Sequence, residues 1–330
     1  MNKKMILLGL IFLLIAFFAG SVFASEFELK WYQSNSMQHP WCVVGQKICD
    51  EINKETDGRI EITQYPSGAL GTQSEALNML RTGSLAFLTS GPSILASFFP
   101  QVQLFSLPYL FNDKDHAHKT FKEDWVDEIF NDIILKKSNV RTIAYWYYGV
   151  RTLTTTDTPV YTPADLKGCK VRCPDLPLWK DIIASLGASP TPVSFSELYM
   201  ALQTGLVDGQ ENPLTTIYDM KFYEVQNYLI FTNQSVHMGS VHVSEPIWKK
   251  ISEKDRKIIL EVFDRNNPLI DEKIDELGLQ YLDVMKDKGL KTIEPDIEAF
   301  KKHAKEYIWE RYGEKWGEYI LKINPSYNQY

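Results

Sequence analysis

The side chains best suited to ligand chemistry lie between residues 147 and 224. Two arginines, Arg151 and Arg172, share this stretch with the amide of Asn212 and the aromatic ring of Phe195. No nucleophile with a general base beside it accompanies them. Because the planar guanidinium of arginine can donate parallel hydrogen bonds to both oxygens of a carboxylate, the set favours gripping a carboxylate over transforming one.

The same residues also have purely structural interpretations. Most arginines are surface residues, so Arg172 could form an exposed or inter-domain salt bridge. Asn212 precedes Pro213, a favoured first residue of a helix, and could cap that helix instead of contacting a ligand. Phe195 could simply pack in the core. A ligand role therefore depends on the elements that position these side chains.

The first third of the chain alternates between strand and helix patterns. Strands are predicted at 27–32 and 59–65 by alternating apolar residues, and at 85–89 by an apolar run. A helix is predicted from about 40 to 56. Another opens at Thr72, which has capping-box spacing to Glu75, and ends at Gly83. Strand, helix and strand in this order indicate the α/β fold class.

A similar helix pattern recurs further along the chain. Ser194 and Glu197 again have capping-box spacing, and Gly205 is expected to close this helix as Gly83 closes the earlier one. The repetition favours two related lobes. A cleft between two such lobes could close around a ligand by hinge motion.

Two long helices are predicted in the last third of the chain. Apolar residues recur at helical spacing from Ser252 to Lys288, and Pro268 within this segment is expected to kink or break the helix. The last helix is predicted from about Asp296 to Lys322.

The N-terminus has the pattern of a secretory signal. Lys3 and Lys4 precede an apolar run, and small residues lead up to a predicted cleavage after Ala24. The alternative is a membrane anchor, for which the run is short. Cleavage predicts a periplasmic protein of residues 25–330, with 33 basic and 42 acidic residues and a net charge of −9. This acidic balance argues against nucleic acid as a partner.

The four cysteines are predicted to be free thiols. Cys42 and Cys49 lie about two turns apart on one predicted helix, and Cys169 and Cys173 lie four residues apart on or beside a strand. Either separation is too long for a disulfide within its element.

Neither a metal, a cofactor nor catalysis is predicted. Two histidine pairs could be metal ligands, but neither has the cysteine or carboxylate companions that complete a site. These are His116 with His118 and His237 with His242. The sequence contains none of the motifs GxSxG, HExxH, GxGxxG or the P-loop.

Three sequence blocks give the chain a more specific resemblance. They are Leu-Lys-Gly-Cys-Lys-Val-Arg ending at Arg172, Phe-Ser-Glu-Leu-Tyr-Met-Ala-Leu-Gln-Thr-Gly from 195 to 205, and Val-Asp-Gly-Gln-Glu-Asn-Pro ending at Pro213. These blocks resemble the solute-binding proteins of tripartite ATP-independent periplasmic (TRAP) transporters. The resemblance extends over nearly the whole chain after residue 24.

The resemblance implies a fold and a division into lobes. The fold would be a two-lobed, periplasmic-binding-protein-like (type II) α/β fold with a long kinked helix spanning both lobes, which residues 252–288 resemble. One lobe would comprise residues 25–148 and about 237–276, and the other residues 149–236 and about 277–330. The protein would be a monomer that delivers its solute to membrane permease subunits driven by an ion gradient.

The resemblance also implies roles for individual residues. Arg172 would anchor a ligand carboxylate, Arg151 and Asn212 would hold the same carboxylate or a nearby hydroxyl, and Phe195 would form an apolar wall. Family members vary with their ligand on the opposite side of the cleft. The corresponding positions here are His39, Gln73, Ser90 and Gly91.

The expected ligand is a small organic acid with hydroxyl groups. Sialic-acid-binding members of the family have an acidic residue in place of Gly91, an asparagine in place of Asp175 and a histidine in place of Gln234. These differences argue against sialic acid, and the polar Gln73, Gln234 and Asp175 favour a sugar acid such as a uronate or aldonate. A C4-dicarboxylate, a periplasmic enzyme acting on hydroxy acids, and a ligand-sensing subunit remain as alternatives.

Overall fold

The computed structural model describes residues 25–330. The predicted signal peptide and its cleavage site lie outside these residues. Within 25–330, no helix combines the length and the apolar character that crossing a membrane requires.

One mixed β-sheet of nine strands runs through the described part of the chain. The strands are β1 (Phe27–Tyr32), β2 (Ile60–Tyr65), β3 (Phe87–Ser90), β4 (Val140–Thr155), β5 (Lys170–Cys173), β6 (Ser189–Pro192), β7 (Gly209–Asn212), β8 (Tyr228–Ser244) and β9 (Lys291–Ile293). Their order is β2-β1-β3-β8-β4-β7-β5-β6, and β9 pairs with β8. The long antiparallel strands β4 and β8 therefore connect two outer groups of short strands.

Eleven α-helices cover this sheet in residues 25–330. They are α1 (Pro40–Glu55), α2 (Gln73–Thr82), α3 (Lys114–Phe121), α4 (Asp124–Asp127), α5 (Leu135–Ser138), α6 (Pro177–Ser185), α7 (Leu198–Gln203), α8 (Leu214–Asp219), α9 (Glu245–Trp248), α10 (Glu253–Asp287) and α11 (Ile297–Ile323). The expected α/β class with two lobes is confirmed, and each outer strand group with its helices forms one lobe.

Local signals define the ends of α2 as predicted. The hydroxyl of Thr72 accepts a hydrogen bond from the backbone N–H of Glu75, and the Glu75 carboxylate accepts one from the backbone N–H of Thr72. Gly83 ends the helix at a φ of 83°, a left-handed conformation that glycine adopts without strain. The predicted capping box is confirmed here.

The second predicted capping box, at Ser194, is wrong. The hydroxyl of Ser194 bonds to the side chain of Glu197 and not to its backbone N–H, and a 3₁₀ turn over Phe195–Glu197 precedes α7. The predicted end of this helix is confirmed, since Gly205 follows α7 with a φ of 70°, a left-handed conformation. The spacing of Ser194 and Glu197 suited a box, but the tighter 3₁₀ turn satisfies the first backbone groups differently.

The long helix α10 continues for 35 residues through Pro268. The hydroxyl of Ser252 caps its start, and Pro268 does not end it. Helix α10 packs on α1 in the first lobe and on α8 in the second, so it spans both lobes as expected.

The end of the chain, which was predicted to lie in the second lobe from about residue 277 onward, also contacts the first. Near its start, α11 contacts the second lobe, where His303 bonds to the backbone oxygen of Ser185 at 2.7 Å. Beyond its end, Asn324 donates to the backbone oxygen of Leu110 at 3.0 Å, which lies in the first lobe. Helix α11 and the residues after it therefore contact both parts of the structure.

The predicted free thiols agree with the structure. Cys42 and Cys49 lie on α1, and Cys169 and Cys173 lie beside and within β5. All four are buried and unpaired.

Candidate functional site

The site lies where the carboxyl ends of two groups of parallel strands face each other. Strands β1, β2 and β3 are parallel in one lobe, and β5, β6 and β7 are parallel in the other. In open α/β sheets, ligands bind beyond the carboxyl ends of the strands. Arg172 and Asn212 lie at these ends in the second lobe, and Ser90 and Gly91 in the first.

Contacts between the lobes close this region. The backbone N–H of Ser36 donates to the Asp219 carboxylate at 3.0 Å, and the Ser36 hydroxyl also bonds to it. On the other side, Nε1 of Trp179 donates to Oγ of Ser93 at 3.2 Å. The lobes are therefore in contact around the candidate site, which corresponds to a closed arrangement.

Arg172 is a buried cation without a carboxylate partner in the described chain. Its residue is 6% exposed, and its Nε donates to the backbone oxygen of Val193 at 2.8 Å. The guanidinium carbon lies 5.7 Å from the centre of the Phe195 ring. Burial, and secondarily the charge of Arg151, lower the pKa of Arg172 to about 10. A buried charge of this kind normally has a partner, so the position is suited to an anionic ligand.

Arg151, by contrast, already has a carboxylate partner. Its Nη2 donates to Oε1 of Glu211 at 2.7 Å and to Oδ1 of Asn212 at 3.1 Å. Glu211 is 2% exposed and also accepts from Nε2 of Gln234 at 2.9 Å. The amide of Asn212 donates to Gln210 at 2.6 Å. This buried network neutralises Arg151 and leaves the charge of Arg172 uncompensated.

These bonds also exclude the capping interpretation of Asn212, while its contact with a ligand stays a prediction. Helix α8 begins at Leu214, and its N-terminus receives no side-chain cap. The Asn212 side chain bonds to Arg151 and Gln210 instead. Asn212 therefore belongs to the arginine network and does not cap the helix.

A wall of aromatic and imidazole rings adjoins the two arginines. The guanidinium carbon of Arg151 lies 5.0 Å from the centre of the Trp179 ring. The His237 ring lies 5.9 Å from Trp179 and 5.9 Å from Tyr148. His39 continues the wall at 5.7 Å from Tyr148. The wall joins residues of both lobes and could contact the carbon skeleton of a ligand.

His39 has a structural task as well as its place in this wall. It is 1% exposed and caps α1, with its Nδ1 accepting from the backbone N–H of Trp41 at 3.2 Å. Burial lowers the pKa of His39 to about 3, so the ring is neutral near pH 7.

The two arginines, their network and the ring wall together form one cluster. The remaining predicted site residues differ in how close they lie to this cluster. Gly91 lies in it, because a Cβ on Gly91 would be 3.2 Å from Nε2 of His237. Ser90 is buried next to it and bonds to the Gly91 oxygen at 3.3 Å. Gln73 bonds to Ser34 at 2.8 Å in the first lobe. Gln234 lies in the cluster but is engaged by Glu211.

Asp175 lies outside the cluster. Its side chain is 79% exposed and forms an ion pair with Lys180 at 2.7 Å. The turn after β5 directs Asp175 to the surface, away from the buried arginines, so its predicted contribution to a ligand site stays a prediction.

Two residues of the cluster, Glu211 and His237, are not among the ligand-binding residues predicted from the sequence. A signal for Glu211 was present, since Gln210, Glu211 and Asn212 are consecutive polar residues on a strand and all are buried. Such a run requires partners within the fold. In residues 25–330, no group of three or more His, Cys, Asp or Glu side chains is placed to hold a metal ion.

The fold and the site define a two-lobed protein that encloses a small ligand between its lobes. Residues 33–315 match the family model DctP, described as bacterial extracellular solute-binding protein, family 7. The chain belongs to this family, whose members are the periplasmic solute-binding components of TRAP transporters.

Two relatives are similar in sequence to this chain along most of their length. A solute-binding protein of Roseobacter denitrificans is 33% identical over 299 residues, covering 88% of each chain. The sialic acid-binding periplasmic protein SiaP of Vibrio cholerae is 34% identical over 274 residues, covering 83% of this chain and 84% of the relative.

Two solved structures extend the comparison. A TRAP solute-binding protein of Roseobacter denitrificans with bound L-galactonate has a TM-score of 0.86 at 30% identity, covering 91% of this chain and 99% of that one. Another from Polaromonas sp. JS666, bound to D-erythronate, has a TM-score of 0.84 at 27% identity, covering 90% and 97%.

Proposed function

We propose that this receptor binds a sugar acid, an aldonate or uronate, with Arg172 as the anchor of the carboxylate. It then closes around the acid and delivers it to a membrane permease driven by an ion gradient. The observation that carries this proposal is the buried guanidinium of Arg172, which has no carboxylate partner within the described chain. A ligand carboxylate would supply the missing charge, and arginine's fork matches its geometry.

The charges of the cluster favour one carboxylate over two. Arg151 and Arg172 contribute two positive charges, and Glu211 contributes one negative charge. Burial lowers the pKa of His39 and of His237, so neither ring adds a charge near pH 7. Among Arg151, Arg172 and Glu211, one positive charge is therefore left for the ligand, while Asp219 at the cleft rim bonds to Ser36. A C4-dicarboxylate would bring a second negative charge without a partner, and burying it would be costly.

The proposal that the acid is hydroxylated is supported by the polar and aromatic surroundings and by the relatives. Trp179 and His237 combine ring faces with polar atoms, as sugar-binding surroundings commonly do. Two related proteins have bound L-galactonate and D-erythronate, which are both sugar acids. The chain belongs to a family of solute-binding proteins, so binding without turnover is the function that we propose.

A thermal-shift screen should identify the acid. We expect an aldonate or a uronate, tested as L-galactonate, D-erythronate and D-galacturonate, to raise the unfolding midpoint more than succinate or sialic acid. At about 100 times the dissociation constant, a ligand stabilises by roughly 2.7 kcal/mol, which corresponds to at least about 2 °C for a chain of this size. A larger effect of succinate would favour the dicarboxylate alternative. Conversion of the acid during incubation would favour an enzyme.

Closure by hinge motion is proposed at the middle of β4 and β8. Their pairing shifts register between Tyr147 and Gly149, where Gly149 has a φ of 120°. The bonds from Ser36 to Asp219 and from Trp179 to Ser93 join the lobes and would break on opening. These features support a flexible point in the strands, with closure stabilised by the contacts at the cleft rim.

Small-angle scattering should detect this motion. We expect the radius of gyration to fall when the best acid from the screen saturates the protein, because the ligand bridges the two lobes. The variant Arg172→Ala, at the same acid concentration, serves as the control and should keep the larger radius. An identical radius with and without acid in the wild type would argue for a cleft that is closed at all times.

A further inference from the structure

His237 is a buried histidine with an unsatisfied ring nitrogen. It lies on β8 at 4% exposure, and within residues 25–330 its Nδ1 has no hydrogen-bond partner. On the same strand, His242 has both nitrogens bonded, to Thr142 at 3.0 Å and to Ser240 at 2.9 Å. A buried polar atom without a partner costs free energy, so Nδ1 does not stabilise the ligand-free fold as the two nitrogens of His242 do.

The ring of His237 adjoins the ligand cleft, and Nε2 is the ring nitrogen that faces it. The ring lies between Tyr148 and Trp179, which also flank Arg151. Its Nε2 faces Gly91, where a Cβ would come within 3.2 Å. A side chain at position 91 would therefore press against the imidazole, and glycine leaves that space open.

The protonation state of His237 suits a hydroxyl partner. Burial and the nearby positive charge of Arg151 lower the pKa of His237 well below its usual value, so the ring is neutral near pH 7. A neutral imidazole has one donor and one acceptor nitrogen, and a hydroxyl group can both donate and accept. A carboxylate only accepts, so it could bond only to the ring nitrogen that carries the proton.

We propose that His237 hydrogen-bonds a hydroxyl group of the bound acid and thereby selects hydroxylated acids over plain ones. This inference rests on the proposed function, since it requires an acid held by Arg172 next to the ring. Arg172 would then bind the carboxylate that all candidate acids share, and His237 would bind the hydroxyl group that distinguishes hydroxylated acids from plain ones.

Calorimetry with His237→Phe tests this selection. Phenylalanine keeps a ring of similar size and removes both nitrogens. We expect the variant to bind L-galactonate about tenfold more weakly than the wild type, as for loss of one hydrogen bond that leaves a buried hydroxyl unpaired. One monodeoxy form of L-galactonate lacks the hydroxyl group that His237 contacts. The wild type and His237→Phe should bind that form with equal affinity. D-galacturonate and its monodeoxy forms are used if that acid stabilises the wild type more.

Two further measurements separate this role from a structural one. The ligand-free His237→Phe protein should unfold at the wild-type temperature or above, because it loses no internal hydrogen bond of Nδ1. His237→Gln, which keeps a donor and an acceptor, should recover part of the affinity. Equal affinity of His237→Phe and wild type for the parent acid would overturn the inference, as would an equal loss for every deoxy form. A wild type that binds none of these acids would instead overturn the proposed function.

Discussion

Replacing Arg172 with alanine is expected to weaken binding of the cognate sugar acid at least about thirtyfold. The reason is that the bound carboxylate would be left buried without its cation, which typically costs about 2–5 kcal/mol, or roughly one decade of affinity per 1.4 kcal/mol. Arg172→Lys should bind with intermediate affinity, because lysine keeps the charge but loses the planar pair of donors. Isothermal titration calorimetry with the acid found by screening measures both variants.

The ligand-free protein provides a separate check on the same residue. Arg172 forms no internal ion pair in the described chain. Alanine loses its hydrogen bond to the Val193 oxygen but also removes an unpaired buried charge, so we expect the unfolding temperature of the ligand-free variant to stay close to that of the wild type. Arg265→Ala is the matched control, since Arg265 is 45% exposed and pairs with Glu51 at 2.9 Å. It should leave affinity unchanged. If Arg172→Ala binds within about threefold of wild type, a change below 1 kcal/mol, the anchor lies elsewhere, and Arg151 is the next candidate.

The sequence predicted elements whose signals are local. The start and end of α2 depend on Thr72, Glu75 and Gly83, which lie within one short helix, and all three behave as expected. The start of α10 at Ser252 is equally local. Ser194 is the exception, because the same spacing produced a 3₁₀ turn. Local signals thus predict where an element starts more reliably than the hydrogen bonds it adopts.

Features that depend on distant residues could not be predicted in the same way. The role of Glu211 depends on Arg151, 60 residues earlier, which meets it only because β7 pairs with β4. The exposure of Asp175 depends on the direction of the turn after β5, which residue type does not determine. Gln234 was expected at the ligand, whereas Glu211 engages its amide. Residue types thus indicated the arginine cluster, but only the pairing of strands determined which arginine is left free.

Replacing Glu211, the partner of Arg151, is expected to lower the stability of the ligand-free protein strongly. The variant Glu211→Gln keeps the shape of the side chain and removes its charge, leaving Arg151 uncompensated next to Arg172. Breaking a buried ion pair by removing one partner typically costs about 3–5 kcal/mol, so we expect a loss of stability of this order in the ligand-free protein. Urea unfolding followed by circular dichroism measures it. The double variant Arg151→Met with Glu211→Gln is the control, and it should recover much of the loss because neither charge remains.

The same variant also tests the charge count on which the choice of ligand rests. With Glu211 neutral, two buried positive charges face the cleft in place of one, so a second carboxylate would gain a partner. We therefore expect Glu211→Gln to shift preference from the sugar acid towards succinate, measured as the ratio of the two dissociation constants at a temperature where the variant is folded. An unchanged ratio, or a stability within about 1 kcal/mol of wild type, would mean that Glu211 does not neutralise Arg151. The single free positive charge would then no longer explain a preference for one carboxylate.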